Sequence, residues 1–118
     1  MEELTADKKE EILQNLLPAM DTMEVISGRW RVIILTNLYV HGKMRFNELK
    51  KHIPRITSRI LSKDLKFLEN HQVISRTVKD TSPMTVEYEL TDYGRTMENI
   101  FHELSGWGSK HRKRIIGK

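Results

Sequence analysis

Three observations predict a mostly helical α+β fold for this 118-residue chain. First, two short segments with helical apolar spacing, residues 46–52 and 57–70, meet at a tight corner, Ile53-Pro54-Arg55-Ile56. Second, two runs of alternating polarity, residues 74–79 and 84–90, flank a cluster of turn formers, Asp80-Thr81-Ser82-Pro83. Third, each end of the chain carries an apolar stripe that recurs every three or four residues. The first feature is a helix-turn-helix, and the second, placed directly after it, is a β-hairpin wing. The expected architecture is thus a winged helix-turn-helix with helices outside it at both ends. It forms one domain, 1–118, in which 45–70 is the helix-turn-helix, 74–90 the wing, and 1–27 and 91–118 the terminal helices.

The elements follow in order. Thr5 or Asp7 can cap a first helix over about 5–17, with Ile12, Leu13, Leu16 and Leu17 as a partial stripe and Pro18 ending it. Residues 20–26 form a short second helix closed by Ser27-Gly28. Residues 29–39 (RWRVIILTNLY) are apolar nearly all round and predict a buried central helix, with a strand as the alternative because of the β-branched run. His41-Gly42-Lys43 is a turn, and Met44-Arg45 a very short strand. Phe46, Leu49 and Ile53 mark the next helix. Pro54 disfavours helix in the residue before it, so that helix ends by His52 or Ile53. Thr57 caps the following helix, which buries Ile60, Leu61, Leu65 and Leu68. After the hairpin, Thr91 caps a last helix with Met97, Ile100, Phe101, Leu104 and Trp107 at spacings of three and four, its end weakened by Gly106 and Gly108.

The face of segment 57–70 opposite its apolar stripe points to a partner. Ser58, Arg59, Ser62, Lys63 and Lys66 lie there, basic and hydroxylic, with no carboxylate among the five. A basic helix face is often only a solvated face. Following a capped corner and preceding a wing, it matches a helix that enters a DNA major groove with its N-terminal residues toward base edges. Arg59 is assigned to base edges, Lys63 and Lys66 to base or phosphate, and Thr57 to the same surface. Arg76 and Lys79, expected near the tip of the wing, can meet phosphates.

Bulk properties exclude other classes. The chain is 38% hydrophobic and 31% charged, with a net charge of +4 that favours an acidic partner. No apolar run is long enough to cross a bilayer, and the acidic, polar N-terminus does not read as a signal peptide, so no membrane partner and a cytoplasmic location are expected. There is no cysteine, which excludes disulfides, thiolate catalysis, cysteine redox sensing and cysteine-ligated zinc. The five histidines never pair at helical spacing, and no nucleophile elbow, phosphate loop or acidic cluster appears, so no catalytic residue, metal site or cofactor is expected. A protein-binding adaptor is a further alternative. The basic, hydroxylic face argues against it, because adaptor surfaces present apolar anchors.

Several segments carry a family resemblance. Val25-Ile-Ser-Gly-Arg-Trp30 is similar to "IGGKW", and Gly42-Lys-Met-Arg-Phe-Asn-Glu-Leu49 to "GPKRFNEL". Ile53-Pro-Arg-Ile-Thr57 followed by Leu61, Leu65 and Leu68-Glu69 is similar to "LPGIS…ML…L…LE", and Val86-Glu-Tyr-Glu-Leu-Thr-Asp-Tyr-Gly94 to "VEYSLTELG". In this order, and over roughly residues 17–107, they resemble the HxlR family of winged helix-turn-helix transcriptional regulators. The resemblance implies homodimeric binding to double-stranded DNA and transcriptional control, commonly repression. It adds Arg45 to the DNA-contacting residues, while Met44 replaces a family lysine and costs one phosphate contact. Many members carry a Cys-Pro pair before "IGGKW", and in some that cysteine senses oxidants or electrophiles. The pair here is Leu17-Pro18, so any signal must be read another way, and no small-molecule effector is identified.

The terminal stripes exceed what one small domain needs to bury. They are expected to form an isologous dimer interface through Ile12, Leu16, Ile100, Phe101, Leu104 and Trp107, which implies an inverted-repeat operator. An apolar ligand near Trp30, Trp107 or the methionines is less favoured than core and interface roles for these residues. The basic run from Lys110 to Arg114 is either a disordered, DNA-attracting tail or a solvated helix end.

Overall fold

A computed structural model describes residues 3–118. The order of elements is α1 (Ala6–Gln14), α2 (Leu16–Ile26), α3 (Arg31–His41), β1 (Met44–Arg45), α4 (Phe46–His52), α5 (Ser58–Asn70), β2 (Ile74–Lys79), β3 (Thr85–Leu90), α6 (Asp92–Arg95) and α7 (Glu98–Ile116). This is the expected winged helix-turn-helix, mostly helical with one small antiparallel sheet.

The N-terminal region departs from the sequence reading. Thr5 caps α1 by accepting the Lys8 N–H at 3.2 Å. The break comes at Asn15, however, and Pro18 lies inside the first turn of α2 rather than ending a helix. A proline there removes an N–H that would have had no helical partner, so the first turn tolerates it. Residues 16–26 are accordingly one helix instead of a tail and a short piece.

The central segment is a helix and not a strand. It buries Ile34, Leu35 and Leu38 but leaves Tyr39 46% and Val40 66% exposed, so it is not surrounded on all sides as its composition suggested. Met44 and Arg45 do form a strand. β1 pairs Met44 with Tyr88 and Arg45 with Glu87, and the hairpin register runs from Ile74 opposite Leu90 to Lys79 opposite Thr85. The sheet order is therefore β1-β3-β2.

The helix-turn-helix closes as Pro54 and Thr57 dictate. α4 ends at His52, and Arg55 turns the corner with a φ of 71°, in the left-handed region. The far end of α5 is a Schellman motif. The Val73 N–H donates to Leu68 O and the Gln72 N–H to Glu69 O, with Gln72 at a φ of 64°. Both apolar partners of that motif, Leu68 and Val73, are buried. The core gathers around them: Ile34, Leu35 and Leu38 of α3, Leu49 and Ile53 beside the corner, Leu61 and Leu65 of α5, and Ile74 and Leu90 at the base of the wing.

The C-terminal segment differs in two respects. Thr91 caps the four-residue α6, not one long helix, and the chain breaks at Thr96 and Met97 before α7. α7 then continues through Gly106 and Gly108 to Ile116 and ends on Gly117 in the left-handed conformation. Two mid-helix glycines cost only about 1 kcal/mol each, which a helix this long can bear. The basic run 110–114 is thus a helix end, where Lys113 and Arg114 favour the negative pole of the dipole.

Candidate nucleic-acid interface

The outer face of α5 is set from both ends. Thr57 Oγ1 accepts the Ile60 N–H at 3.1 Å, which fixes where the helix starts. Leu61, Leu65 and Leu68 are buried, whereas Ile60 is only half-buried. This stripe fixes rotation about the helix axis. Thr57, Ser58, Arg59, Ser62, Lys63 and Lys66 are consequently all exposed, as the periodicity required. Arg45 is exposed as well, at the N-cap of α4, where its N–H donates to Glu48 Oε1 at 2.9 Å.

The structure sorts these residues by how free they are. Ser58 Oγ accepts a hydrogen bond from Lys50 Nζ at 2.8 Å, which brings a cation from α4 to the start of α5. Lys50 was absent from the sequence reading. Its signal is the Lys50-Lys51-His52 end of α4, which the corner folds back against Ser58. Lys66 pairs with Glu69 at 3.4 Å on its own helix, so the face is less purely basic than its five residues suggest. Arg45, Arg59 and Lys63 form no ion pair among the described residues, and of these Arg59 and Lys63 are the two on α5 itself that are free to meet an anion.

The wing corrects an expectation. Arg76 is not near the tip: it lies across from Tyr88, midway along the hairpin. Lys79 does lie at the tip, but it reaches Glu87 Oε1 at 3.1 Å. That oxygen is buried and has no well-aligned hydrogen bond, so the ammonium answers it by charge. Lys79 must therefore exchange one anion for another on meeting a phosphate.

The terminal helices leave apolar surface uncovered. α1, α2 and α7 bury no residue fully. Ile12 is 50%, Leu16 55%, Leu104 48% and Trp107 67% exposed. Ile100 and Phe101 are only half-buried, packed against the core of their own domain. One hollow beside these helices is lined by Asp21, Glu24, Val25, Val73, Met97 and Ile100 among others and by neither tryptophan, and a second, shallower one is lined by Trp30, Arg31, Ile60 and Asp64 among others.

The described residues include no helix long and apolar enough to cross a membrane. The family described as HxlR-like helix-turn-helix matches residues 25–115. The chain is 46% identical over 96 residues to the HTH-type transcriptional regulator YtcD of Bacillus subtilis, a match covering 81% of this chain and 75% of that protein. YdeP, a regulator of the same type and organism, is 43% identical over 98 residues, covering 83% and 76%. The crystal structure of YtcD superposes with a TM-score of 0.74 at 45% identity, over 79% of this chain and 94% of that one. The redox regulator HypR in its reduced form gives 0.77 at 37% identity, over 86% and 99%. With a family match over most of its length, relatives that are regulators and not enzymes, and the same fold, the chain belongs to the HxlR-like helix-turn-helix family of transcriptional regulators.

Proposed function

We propose that the protein binds a specific double-stranded operator as a homodimer, in the cytoplasm, and represses the promoter that contains it. The observation that carries this reading is the outer face of α5, where Ser58, Arg59, Ser62, Lys63 and Lys66 stand exposed, with Glu69 beside Lys66 as the one carboxylate near them, between two firmly fixed helix ends. Arg59 has the planar fork suited to a guanine edge, Lys63 follows it one turn on, and Lys50, Lys66 and Arg45 serve backbone phosphates. One such helix makes few contacts. Two copies on a twofold axis place two of them about 34 Å apart, one turn of DNA. The exposed Ile12, Leu16, Leu104 and Trp107 supply an apolar surface for that pairing, flanked by the half-buried Ile100 and Phe101. A dimer seated across a promoter keeps polymerase from it, which is the basis for repression.

The test combines selection from a random duplex library with sedimentation. The wild-type protein should select an inverted repeat and sediment as a dimer at micromolar concentration. Arg59→Ala should lower operator affinity by about 1–3 kcal/mol and relax preference at one position of each half-site. Trp107→Glu places a charge on the most exposed aromatic of α7 and should give folded monomers that no longer hold the full site. Tight binding of a lone half-site by a monomeric wild-type protein would refute the dimer. An unchanged preference in Arg59→Ala would refute the assignment of α5.

A further inference from the structure

One side chain joins the N-terminal helices to α5, and no local sequence feature marks it. Arg31 stands at the start of α3, 16% exposed. Its Nη1 donates to Glu24 O at 2.8 Å and to Ser27 Oγ at 3.2 Å. The Glu24 carbonyl belongs to the last turn of α2, where carbonyls have no helical partner; the Ser27 hydroxyl donates to it at 3.0 Å, and Arg31 joins Ser27 in closing the C-terminus of that helix. The same guanidinium turns its Nε toward Asp64 Oδ1 at 3.6 Å, and its Cζ lies 3.4 Å from the centroid of the Phe67 ring. Asp64 and Phe67 are one turn apart on α5. Asp64 is also the one buried polar or charged side chain among the described residues.

A buried carboxylate is costly unless it is paired, and an apolar residue would fill this position at less cost. What the pair adds is direction. The leucine stripe turns α5 to the right face but lets it slide along α3, whereas a carboxylate facing a guanidinium, itself held by two acceptors, fixes the height of α5 and sharpens its rotation. Lys63 and Ser62 follow directly from that setting, because they adjoin Asp64 on the same turn.

We infer that Arg31 is a positioning residue for DNA recognition, which through Asp64 and Phe67 locks α5 in register with the end of α2. The inference rests on the reading of α5 as the DNA-reading helix. It implies that displacement of α2, which leads from the proposed dimer surface, reaches the base-reading side chains by way of the Arg31 guanidinium, beside the packing of α2 and α5 on α3. Sequence discrimination then depends on a residue that does not face the DNA.

The experiment uses the full chain and two duplexes, the inverted repeat selected by the wild-type protein and a scrambled duplex of the same length. Arg31→Lys keeps the charge but loses the fork, and Asp64→Asn keeps the shape but loses the charge. Each should lower the ratio of operator to scrambled affinity by about tenfold, comparable to one mismatched base pair. Affinity for the scrambled duplex and its salt slope should stay at wild-type values. Because an unpaired buried charge also destabilises, the double variant Arg31→Met with Asp64→Leu is measured beside them, well below every melting temperature. It should recover thermal stability without recovering the ratio. Recovery of both, or single variants that melt earlier yet keep the wild-type ratio, would reduce the pair to a stability role and overturn the inference. Arg59→Ala separates the two levels. If it too leaves the ratio unchanged, α5 does not read the DNA and the failure lies there.

Discussion

Gly94 tests how the C-terminal helices are hung on the domain. A Cβ on this residue would stand 2.0 Å from the Val73 backbone oxygen, where ordinary contact begins at 3.4 Å. Gly94→Ala therefore forces the two backbones apart by 1.4 Å, the difference of those distances. The Val73 oxygen also accepts the Thr91 N–H at 3.1 Å, and Thr91 Oγ1 donates to Gln72 O at 2.7 Å. Parting the backbones stretches both bonds. Two hydrogen bonds at about 1 kcal/mol each and about 1–3 kcal/mol of overpacking, less about 1 kcal/mol from the better helix propensity of alanine, leave a loss of about 2–4 kcal/mol. At about 4 °C per kcal/mol for a chain of this size, the melting temperature should fall by about 8–16 °C. Thermal and urea unfolding followed by circular dichroism measure this. The control is Gly106→Ala, in the middle of α7, whose added Cβ meets nothing within 4 Å and which should gain up to about 1 kcal/mol. If Gly94→Ala melts with the wild type, the close approach of α6 to Val73 does not exist in the protein.

Three further outcomes are expected. Alanine at both Arg76 and Lys79 should reduce the dependence of log affinity on log salt by about one unit per lost phosphate contact per subunit, and Glu87→Gln should tighten binding by releasing Lys79; an unchanged slope rules out the wing as a DNA contact. Arg55→Gly removes a left-handed backbone cost of about 1–2 kcal/mol and adds a glycine entropy cost of about 0.5–1 kcal/mol, so the variant should melt slightly higher while losing one cation beside α5; a lower melting temperature contradicts the strain at that corner. The Tyr39 hydroxyl donates to Glu98 Oε1 at 2.7 Å, and this hydrogen bond, with the neighbouring carboxylate charge, holds the phenol above its ordinary value of 10.0. A raised folded value means the contribution is complete below pH 10.0 and fades as pH rises through the folded value. The stability difference between wild type and Tyr39→Phe should therefore be constant at neutral pH and shrink only in strong alkali, and a difference that instead changes across neutral pH would contradict this account.

Much of the fold was legible in the sequence because its signals act over a single turn of chain. Pro54 ends α4 and Thr57 starts α5 through atoms three residues away or fewer. Leu61, Leu65 and Leu68 then decide which face of α5 turns inward, and so which hydroxyls and cations turn out. Alternation decided the wing for the same reason. Pro18 was misread because a proline is a terminator in mid-helix but harmless in a first turn, and its neighbours alone do not say which applies.

The sequence by itself determined the helix-turn-helix, the wing and the exposed face of α5. Only the tertiary structure decided which charges on those elements are free. Lys79 is held by Glu87 and Lys50 by Ser58, across turns whose closure brings together residues that sequence spacing leaves apart. Arg31 meets Asp64 and Phe67, and Gly94 meets Val73, only after α5 has packed on α3 and α6 has folded back on its end. A helix period is the property of a few neighbouring dihedrals. The partner of a charge is the property of a packed interior, which exists only when the chain has closed on itself.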